Sequence, residues 1–465
     1  MHIQFCGADR TVTGSSHLLQ INGLTILLDM GMYQGPRQEA DRVNRWLAPQ
    51  APHSDVVILS HGHLDHCGKL PVLTRAGFAK KIYCTPATAE ITRIVLEDSA
   101  AIQMENIQHL ERQEERPGDF AVGPLYEPRD IPGVLKLIQT VPYAQKVDLG
   151  KGVQFAFYDA GHIIGSAFVV VEWSHNGTDR RLVFTGDVGR YDTPIIRDPQ
   201  VIPGPADYLI TESTYGNTKH APMSGVEPQF FDAVQFCIQH KSRLLVPSFA
   251  VGRTQSVLWY IQKFIEEKRI PEIPIFVDSP MGTAISQVHM KYRDSYDDQT
   301  LAEIGTRDLF GLSRVTFASS VDDSKKINSQ AGTCVIIASS PTCEFGRIVH
   351  HLNLSLDRPN DLITFVGYIP PGTLGSQLQS GLKHVRMLDQ MRDVKCQIRT
   401  IHGLSAHADA DELMRFLGPA LNSKTSAWVV HGEVDQSEPF ADRLSAAGVG
   451  RVGVPARDTT VNLAE

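Results

Sequence analysis

The densest group of reactive side chains lies in the stretch 60–68, which reads Ser-His-Gly-His-Leu-Asp-His-Cys-Gly. His61, His63, Asp65 and His66 bring three imidazoles and a carboxylate into six consecutive positions. Imidazole together with carboxylate is a ligand set that suits zinc. A solvated histidine cluster on a surface turn is the alternative interpretation, but polar turns that arise by chance seldom carry ligand spacing this dense. The stretch therefore predicts a metal site.

The apolar run at residues 56–59 predicts a buried strand that ends just before these histidines and gives the site a rigid base. His61 and His63 are two positions apart and should share one side of the turn that follows the strand. Asp65 and His66 instead continue toward a predicted helix. The two pairs of ligands could therefore face two different ions.

Isolated histidines and acids elsewhere follow the same arrangement, because each comes soon after a short apolar run. The runs at 153–158, 181–184, 207–210, 396–401 and 427–430 are followed by His162, Asp187, Glu212, His407 and His431, respectively. Open sheets flanked by helices tend to place their sites at such strand ends. Taken alone, His162 could be satisfied within its loop, Asp187 could belong to a Gly-Asp turn and Glu212 could be a cap. Together with the histidine-rich stretch, His162 and Asp187 favour the metal site.

Composition limits the classes of protein to which the chain can belong. It has 465 residues, a formal net charge of -8 and seven cysteines without a Cys-x-x-Cys pair, so neither a disulfide framework nor a thiolate zinc site is indicated. No apolar run is long enough to cross a membrane and the N-terminus lacks a signal-like segment, so we expect a cytoplasmic protein without a membrane partner. The negative charge disfavours a broad nucleic-acid-binding surface, and a polyanion should bind locally in a cleft.

The order of the apolar runs predicts an α/β protein with an inserted domain. Runs between residues 3 and 28, separated by turn residues, indicate an antiparallel start. From 217 to 390 strands and helices alternate, which indicates a parallel α/β domain. This part lies between the first candidate site residues and the last, so segments 1–216 and 391–465 should form one domain around it.

Three loops of the insertion, at 248–254, 339–347 and 371–376, each follow a predicted strand and precede a predicted helix. Exposed amides at helix starts attract phosphate. Loops of this composition are also ordinary connections in α/β domains, so both interpretations stay open.

Assembled in order, these residues resemble the metallo-β-lactamase fold and, within it, the β-CASP branch of nucleic-acid-processing nucleases. Asp29, the stretch 61–66, His162 and Asp187 match the four motifs of the fold, and Glu212, His407 and His431 match the three motifs of the branch. The resemblance covers essentially the whole chain and implies an αββα metallo-β-lactamase sandwich with an inserted parallel α/β β-CASP domain. Within the branch, the chain resembles the cleavage and polyadenylation endonuclease subunit and its compact bacterial relatives.

The resemblance also implies what the site residues do. It assigns His61, His63 and His162 to one zinc ion, Asp65, His66 and His431 to a second, and Asp187 to a bridging position. Such a pair could hold a hydroxide that attacks a scissile phosphate. Glu212 and His407 resemble the acid–base pair of the branch, and Asp65 joins them as a catalytic residue. Asp29 is expected to orient a turn or a ligand and not to bind metal.

The resulting prediction is a zinc-dependent endoribonuclease that carries two zinc ions, hydrolyses single-stranded RNA and leaves 5′-phosphate and 3′-hydroxyl ends. His431 points to RNA, because DNA-cutting members of the branch usually carry Val in the last motif. A DNA exonuclease of the same branch, a non-catalytic RNA-binding scaffold and a small-molecule hydrolase are the alternatives, and a homodimer is possible. Scaffolds lose metal ligands, whereas this chain retains all of them. The segment 339–347 lacks the glycine-rich Gly-Ser-Gly-Met form of related proteins, which leaves the mode of RNA gripping open.

Overall fold

The structure is a computed structural model that describes residues 1–112, 123–303, 308–318, 320–367, 369 and 372–463. The chain folds into two compact units. Unit 1 comprises Met1–Tyr191, Asp198–Lys219 and His407–Glu465, and unit 2 comprises Asp192–Arg197 and His220–Ala406.

Unit 1 contains two seven-stranded sheets in its described part. The strands of the first sheet are β1 (His2–Gly7), β2 (Ser16–Ile21), β3 (Leu24–Leu28), β4 (Val56–Ile58), β5 (Lys81–Cys84), β6 (Ile138–Thr140) and β22 (Thr460–Asn462). They lie in the order β22-β1-β2-β3-β4-β5-β6. β1, β2 and β3 pair antiparallel, which confirms the antiparallel start, whereas β3 to β6 pair parallel.

The strands of the second sheet are β7 (Val147–Gly150), β8 (Val153–Asp159), β9 (Ala167–His175), β10 (Thr178–Phe184), β11 (Tyr208–Thr211), β20 (Ser426–Val429) and β21 (Arg451–Gly453). They lie in the order β21-β20-β11-β10-β9-β8-β7. β10, β11, β20 and β21 run parallel to one another. Their carboxyl ends therefore meet at one edge of the sheet.

Side chains from both sheets form one apolar core between them, to which Phe5 and Ile58 contribute from the first sheet and Phe157 from the second. Ile26 of β3 belongs to this core, whereas its neighbour Leu27 is buried outside it, because successive strand residues point to opposite faces. Burial of both faces explains why these strands read as nearly continuous apolar runs.

Helices cover the outer faces of the two sheets. The helices of unit 1 are α1 (Arg37–Arg45), α2 (Leu64–Cys67), α3 (Leu70–Arg75), α4 (Pro86–Arg112), α5 (Ile131–Leu135), α13 (Ala410–Leu417) and α14 (Val434–Ala446). Phe416 of α13 and Phe440 of α14 share a second apolar cluster with Val183 and Leu209 of the second sheet. On the other side, α4 contacts β6 of the first sheet. This layering confirms the predicted αββα sandwich.

Unit 2 is built on a parallel sheet, which confirms the predicted parallel α/β insertion. Its strands are β12 (Arg243–Pro247), β13 (Ile275–Asp278), β14 (Val315–Phe317), β15 (Cys334–Ala338), β16 (Leu362–Phe365) and β19 (Gln397–Thr400), in the order β14-β13-β15-β12-β16-β19. The hairpin β17 (His384–Met387) and β18 (Gln390–Asp393) stands beside it as a separate two-stranded sheet.

The helices of unit 2 are α6 (Val226–His240), α7 (Arg253–Glu266), α8 (Pro280–Lys291), α9 (Asp298–Glu303), α10 (Val321–Asn328), α11 (Ile348–Ser355) and α12 (Leu374–Gln379). The strand at 396–401 was expected with the C-terminal segment, yet β19 pairs with β16 in this sheet, with Ile363 opposite Ile398. The domain ranges 1–216, 217–390 and 391–465 themselves stay a prediction.

Among the described residues, no helix combines the length and the apolar character that crossing a membrane requires. The predicted cytoplasmic location stays a prediction. All seven cysteines are free and buried, and burial raises the pKa of the Cys237 thiol to about 12, as expected for packing residues.

Unit 2 contains a buried histidine that should make its stability depend on pH. His289 of α8 packs against the rings of Tyr296 and Phe310, and neither ring nitrogen has a hydrogen-bond partner among the described residues. Burial lowers the pKa of His289 from 6.5 to about 3. The folded protein therefore keeps this imidazole neutral, whereas the unfolded chain protonates it as the pH falls below about 6.5.

We expect His289→Leu to remove this acid sensitivity. Between pH 7 and pH 5, the neutral buried imidazole should cost the wild-type protein about 2 kcal/mol of unfolding free energy that the variant does not lose. Urea unfolding of both proteins at each pH measures the difference, and comparison at the same pH cancels the contribution of all other histidines. Equal losses of stability in the two proteins would contradict the prediction.

Candidate metal centre

The predicted site residues other than His407 converge because the strands before them end at the same edge of unit 1. Parallel strands β10, β11 and β20 lead to Asp187, Glu212 and His431, while β4 leads to His61. Two groups of atoms that could bind a metal ion form there, and a third group joins Asp187 to Glu212 and His407. Within each group, all atoms lie within 4.8 Å of one another. The groups are His61, His63, His162 and Asp187; Asp65, His66 and His431; and Asp187, Glu212 and His407.

The first group has the dimensions of a zinc site. His63 Nδ1 lies 3.1 Å from His61 Nε2 and 3.2 Å from His162 Nε2. Asp187 Oδ2 lies 3.4 Å from His61 Nε2 and 3.5 Å from His162 Nε2. Ligands placed tetrahedrally about 2.05 Å from a zinc ion are about 3.3 Å apart. The observed separations fit that geometry.

The second group lies on the other side of the Asp187 carboxylate. His431 Nε2 is 3.2 Å from His66 Nε2 and 3.3 Å from Asp65 Oδ2. Asp187 Oδ1 is 3.1 Å from His66 Nε2 and 3.6 Å from His431 Nε2. Because Oδ2 faces the first group and Oδ1 faces the second, this carboxylate is placed to serve both.

The protonation chemistry of the first group also fits a cation. Burial lowers the pKa of His63 to about 3 and holds the pKa values of His61 and His162 below the ordinary value. These imidazoles are therefore neutral and offer lone pairs, as metal ligands must. Asp187 Oδ1 is buried and accepts no hydrogen bond from the described residues, although buried carboxylate oxygens are normally satisfied. A cation would satisfy it.

In the second group, burial opposes charge on His66, but Asp187, Asp29 and Asp65 outweigh it and raise the pKa of this imidazole well above its ordinary value. Burial likewise raises the pKa of Asp65, yet His66 and His431 more than offset it and lower that pKa below its usual range. Three carboxylates around His66 make this half of the centre strongly negative when the ring is neutral. Such a field attracts a divalent cation.

Oxygen partners fix which nitrogen of the His66 and His61 rings faces the centre. His66 Nδ1 lies 2.6 Å from Asp29 Oδ2, so in the neutral ring Nδ1 donates to this carboxylate and Nε2 carries no proton. Ser60 Oγ donates to Asp29 Oδ2 at 2.8 Å and therefore accepts from His61 Nδ1 at 3.0 Å. Asp29 thus orients the His66 ring directly and the His61 ring through Ser60, and it lies outside the two groups. Partners of this kind usually hold the tautomer of metal-binding histidines.

His431 is also held by hydrogen bonds, with Thr214 after β11 and with Ala8 after β1. Thr214 Oγ1 donates to the His431 carbonyl at 3.2 Å and so accepts from His431 Nδ1, also at 3.2 Å. The His431 amide donates to the Ala8 carbonyl at 2.7 Å. Ring and backbone of this residue are therefore both fixed, and Nε2 faces the second group.

Glu212 and His407 form a pair at the edge of the two groups. The buried Glu212 carboxylate lies 3.1 and 3.2 Å from His407 Nδ1 and accepts from the Val188 amide at 2.5 Å. His407 Nε2 faces Asp187 Oδ2 at 3.9 Å. Burial disfavours the imidazolium, but Glu212 and Asp187 raise the pKa of His407 to about 9. A protonated ring with Nε2 directed at the centre can donate a proton there.

Several groups that shape the site were missed by the sequence reasoning. Ser60, Ser15 and Thr214 contact Asp29 or the histidine rings of the two groups. Ser60 and Thr214 lie within two positions of predicted site residues, which is the signal that could have found them. His17 lies in neither group; it is buried against Phe5 and Phe184.

The three candidate phosphate loops belong to unit 2. Of the first loop, residues 248–252 connect β12 to α7, and residues 253 and 254 are the first two of α7. Residues 339–347 connect β15 to α11. Pro371, at the start of the third loop, lies outside the described residues. Phosphate binding by these loops stays a prediction.

Three family models match the chain in succession. A metallo-β-lactamase superfamily domain matches residues 18–185, a β-CASP domain matches residues 254–378, and a Zn-dependent metallo-hydrolase RNA specificity domain matches residues 391–455. The first match contains most of the proposed ligands, and the third contains His407 and His431.

Curated proteins are similar over nearly the whole chain. Ribonuclease TTHA0252 of Thermus thermophilus is 32% identical over 449 residues, which cover 96% of this chain and 97% of that protein. Transcription termination factor FttA of Pyrococcus horikoshii is 29% identical over 92% of this chain and 65% of its own length. Cleavage and polyadenylation specificity factor 73 of Drosophila melanogaster is 28% identical over 94% of this chain and 60% of its own length.

A crystal structure of a protein of unknown function from Enterococcus faecalis V583 shares the fold, with a TM-score of 0.53 at 11% identity over 99% of both chains. Similarity at that level of identity concerns the fold alone. The family models and the extensive match to the Thermus ribonuclease go further: the chain belongs to the β-CASP family of the metallo-β-lactamase superfamily.

Proposed function

We propose that the protein is an endoribonuclease that uses two zinc ions to hydrolyse single-stranded RNA and leaves 5′-phosphate and 3′-hydroxyl ends. The observation that carries the proposal is the Asp187 carboxylate, which faces a histidine group with each oxygen and has the Glu212–His407 pair beside it. The similarity to a ribonuclease and to two proteins of transcript processing and termination supports RNA as the substrate class.

The residues that would hold the two ions are those of the two groups. His61, His63 and His162 would bind one zinc ion, Asp65, His66 and His431 the other, and Asp187 would contact both. When bound, a zinc pair supplies Lewis acidity at a phosphate and makes water a good nucleophile near neutral pH. Asp29, Ser60 and Thr214 would keep the ligand rings in the required tautomers.

The pair Glu212 and His407 is placed to deliver a proton to the leaving group. Attack of water on phosphorus breaks the bond to the 3′ oxygen of the upstream nucleotide, which leaves as an alkoxide unless it receives a proton. His407 would donate that proton from Nε2, and Glu212 would hold the ring through Nδ1 and favour its protonated form. The downstream fragment then keeps the phosphate at its 5′ end.

The two-ion proposal predicts the metal content of the protein. Wild-type protein should carry close to two zinc ions per chain, and Asp187→Ala should weaken both sites together because one carboxylate faces both groups. His407→Ala is the matched control, since it should leave the zinc content unchanged. Elemental analysis of the purified proteins measures this. A single tightly held ion that survives Asp187→Ala would contradict the two-ion proposal, and zinc loss in His407→Ala would make His407 a ligand.

The proton-donor role predicts a dependence on the leaving group. His407→Ala should slow RNA cleavage by about a hundred- to ten-thousand-fold. It should slow hydrolysis of bis(p-nitrophenyl) phosphate by far less, because nitrophenolate leaves without a proton. Rates on both substrates, measured with zinc-replete protein, test this. Equal losses on both substrates would remove His407 from proton delivery.

The route of attack predicts the product ends. RNA with a single 2′-deoxy sugar at the cut site should still be cleaved, because water and not the 2′-hydroxyl is the nucleophile. Mass spectrometry of the fragments should find 5′-phosphate and 3′-hydroxyl ends. Cyclic phosphate ends, or complete resistance of the deoxy substrate at unchanged binding, would refute the route. Cleavage of single-stranded DNA of the same sequence at the rate of RNA would instead favour a deoxyribonuclease.

A further inference from the structure

The segments that carry Asp187 and His407 touch each other along a short stretch of backbone. Gly189 and His407 form an antiparallel bridge, and the Ala408 amide donates to the Val188 carbonyl at 2.8 Å. On its other side, Gly189 is pressed so closely against Gly161 that an added Cβ would lie 1.7 Å from the Gly161 carbonyl oxygen. The relative position of these segments therefore determines where the His407 ring lies.

A carboxylate stands at each end of this contact. Glu212 ties the Val188 amide to the His407 ring at one end. Glu412 stands at the other end, where its carboxylate accepts from the Asp409 amide at 2.9 Å and lies 3.2 and 3.3 Å from Arg190 Nε. Glu412 therefore connects Asp409, which caps α13 and lies two residues after His407, to Arg190, which follows Gly189.

The Glu412–Arg190 pair is largely buried, so its loss should affect the structure around it. The Arg190 side chain is 5% exposed and that of Glu412 is 17% exposed. Removal of one charge from an ion pair that is shielded from water perturbs its surroundings more than removal of one charge from a surface pair does. The surroundings here are the two backbone segments that set the distance from His407 to Asp187.

We propose that Glu412 and Arg190 are positioning residues that hold His407 in register with Asp187 and Glu212 for proton delivery. The inference rests on the proposed function, because it assigns a task to His407. Neither Glu412 nor Arg190 belongs to the groups of metal-ligand atoms. Their effect on the reaction passes through the backbone of 188–190 and 407–409.

The test uses Glu412→Gln, which keeps the size of the side chain and an oxygen that can accept from the Asp409 amide but removes the charge that faces Arg190. A displaced proton donor should lower kcat for RNA by about ten- to a hundred-fold, with KM and zinc content unchanged. Hydrolysis of bis(p-nitrophenyl) phosphate should stay within about two-fold of wild type, because that leaving group needs no proton. Arg190→Lys, which keeps the charge but not the planar fork, should give a smaller loss of the same kind.

Asp411→Asn is the matched control. Asp411 lies in the same first turn of α13, is 50% exposed and pairs with Lys219 and Arg443 instead of the 187–191 segment. Removal of its charge should change neither substrate. A second control is the double variant: in a His407→Ala background, Glu412→Gln should cause no further loss on RNA, because positioning matters only while the positioned ring is present.

Different results would contradict the positioning role of Glu412 and Arg190 and the proposed proton delivery by His407. If His407→Ala spares the nitrophenyl ester and Glu412→Gln slows both substrates equally, loses zinc or changes nothing, the inference fails and the proposed function stands. Additive losses in the double variant also overturn the inference. If His407→Ala itself slows both substrates equally, the proposed proton delivery fails and the inference falls with it. Thermal unfolding of Glu412→Gln and Arg190→Lys identifies losses that arise from unfolding.

Discussion

One buried carboxylate, that of Asp187, is the constraint on which the rest of unit 1 depends. Burial alone would raise the pKa of this group, but His431, His66, His61 and His407 more than offset it and hold the pKa well below its ordinary value. The charge can stay buried because imidazoles surround it from both sheets. That arrangement requires strands from two different sheets to end at one edge. β4 of the first sheet and the parallel strands β10, β11 and β20 of the second sheet end there.

Hydrogen bonds to surrounding oxygen atoms hold the side chains of the centre in place. Two of the residues involved adopt unfavourable backbone conformations. Asp29 and His431 adopt φ angles of 58° and 50°, in the left-handed region that residues other than glycine rarely occupy. Each costs on the order of 1–3 kcal/mol and persists only when the surroundings determine it. For Asp29 those surroundings are the Ser60 amide and hydroxyl, which donate at 2.7 and 2.8 Å. For His431 they are Thr214 and the Ala8 carbonyl.

Much of this arrangement could be predicted from the sequence because its signals are local. The strand at 56–59 and the histidines after it lie within one short stretch. The strands β8, β10, β11 and β20 are apolar runs in the sequence, and each is followed within a few residues by a site residue. The partners that act across the chain carry no such signal. Arg190 and Glu412 are 222 positions apart, and nothing near either residue indicates the other.

The strand β19 shows the same limit in the fold. Its four residues show too little alternation of apolar and polar side chains to indicate which sheet they join. Its pairing with β16 is visible only in the structure. Proximity in sequence to His407 suggested the C-terminal segment, whereas hydrogen bonding assigns the strand to unit 2. Sequence order is therefore a poor guide within a few residues of a crossover between units.

The second metal group also has a consequence for how unit 1 is assembled. Asp65 and His431 are 366 positions apart and lie together in the structure in which β20 pairs with β11, with Trp428 opposite Ile210. The entropy of closing so long a loop grows only slowly with its length, so strand pairing and core burial can offset it. An ion held by Asp65, His66 and His431 would bind the state in which β20 is paired and not the state in which it is unpaired. It would therefore add its binding free energy to the docking of the C-terminal segment. The residues that would hold the ion are thus also residues through which the ion would hold unit 1 together.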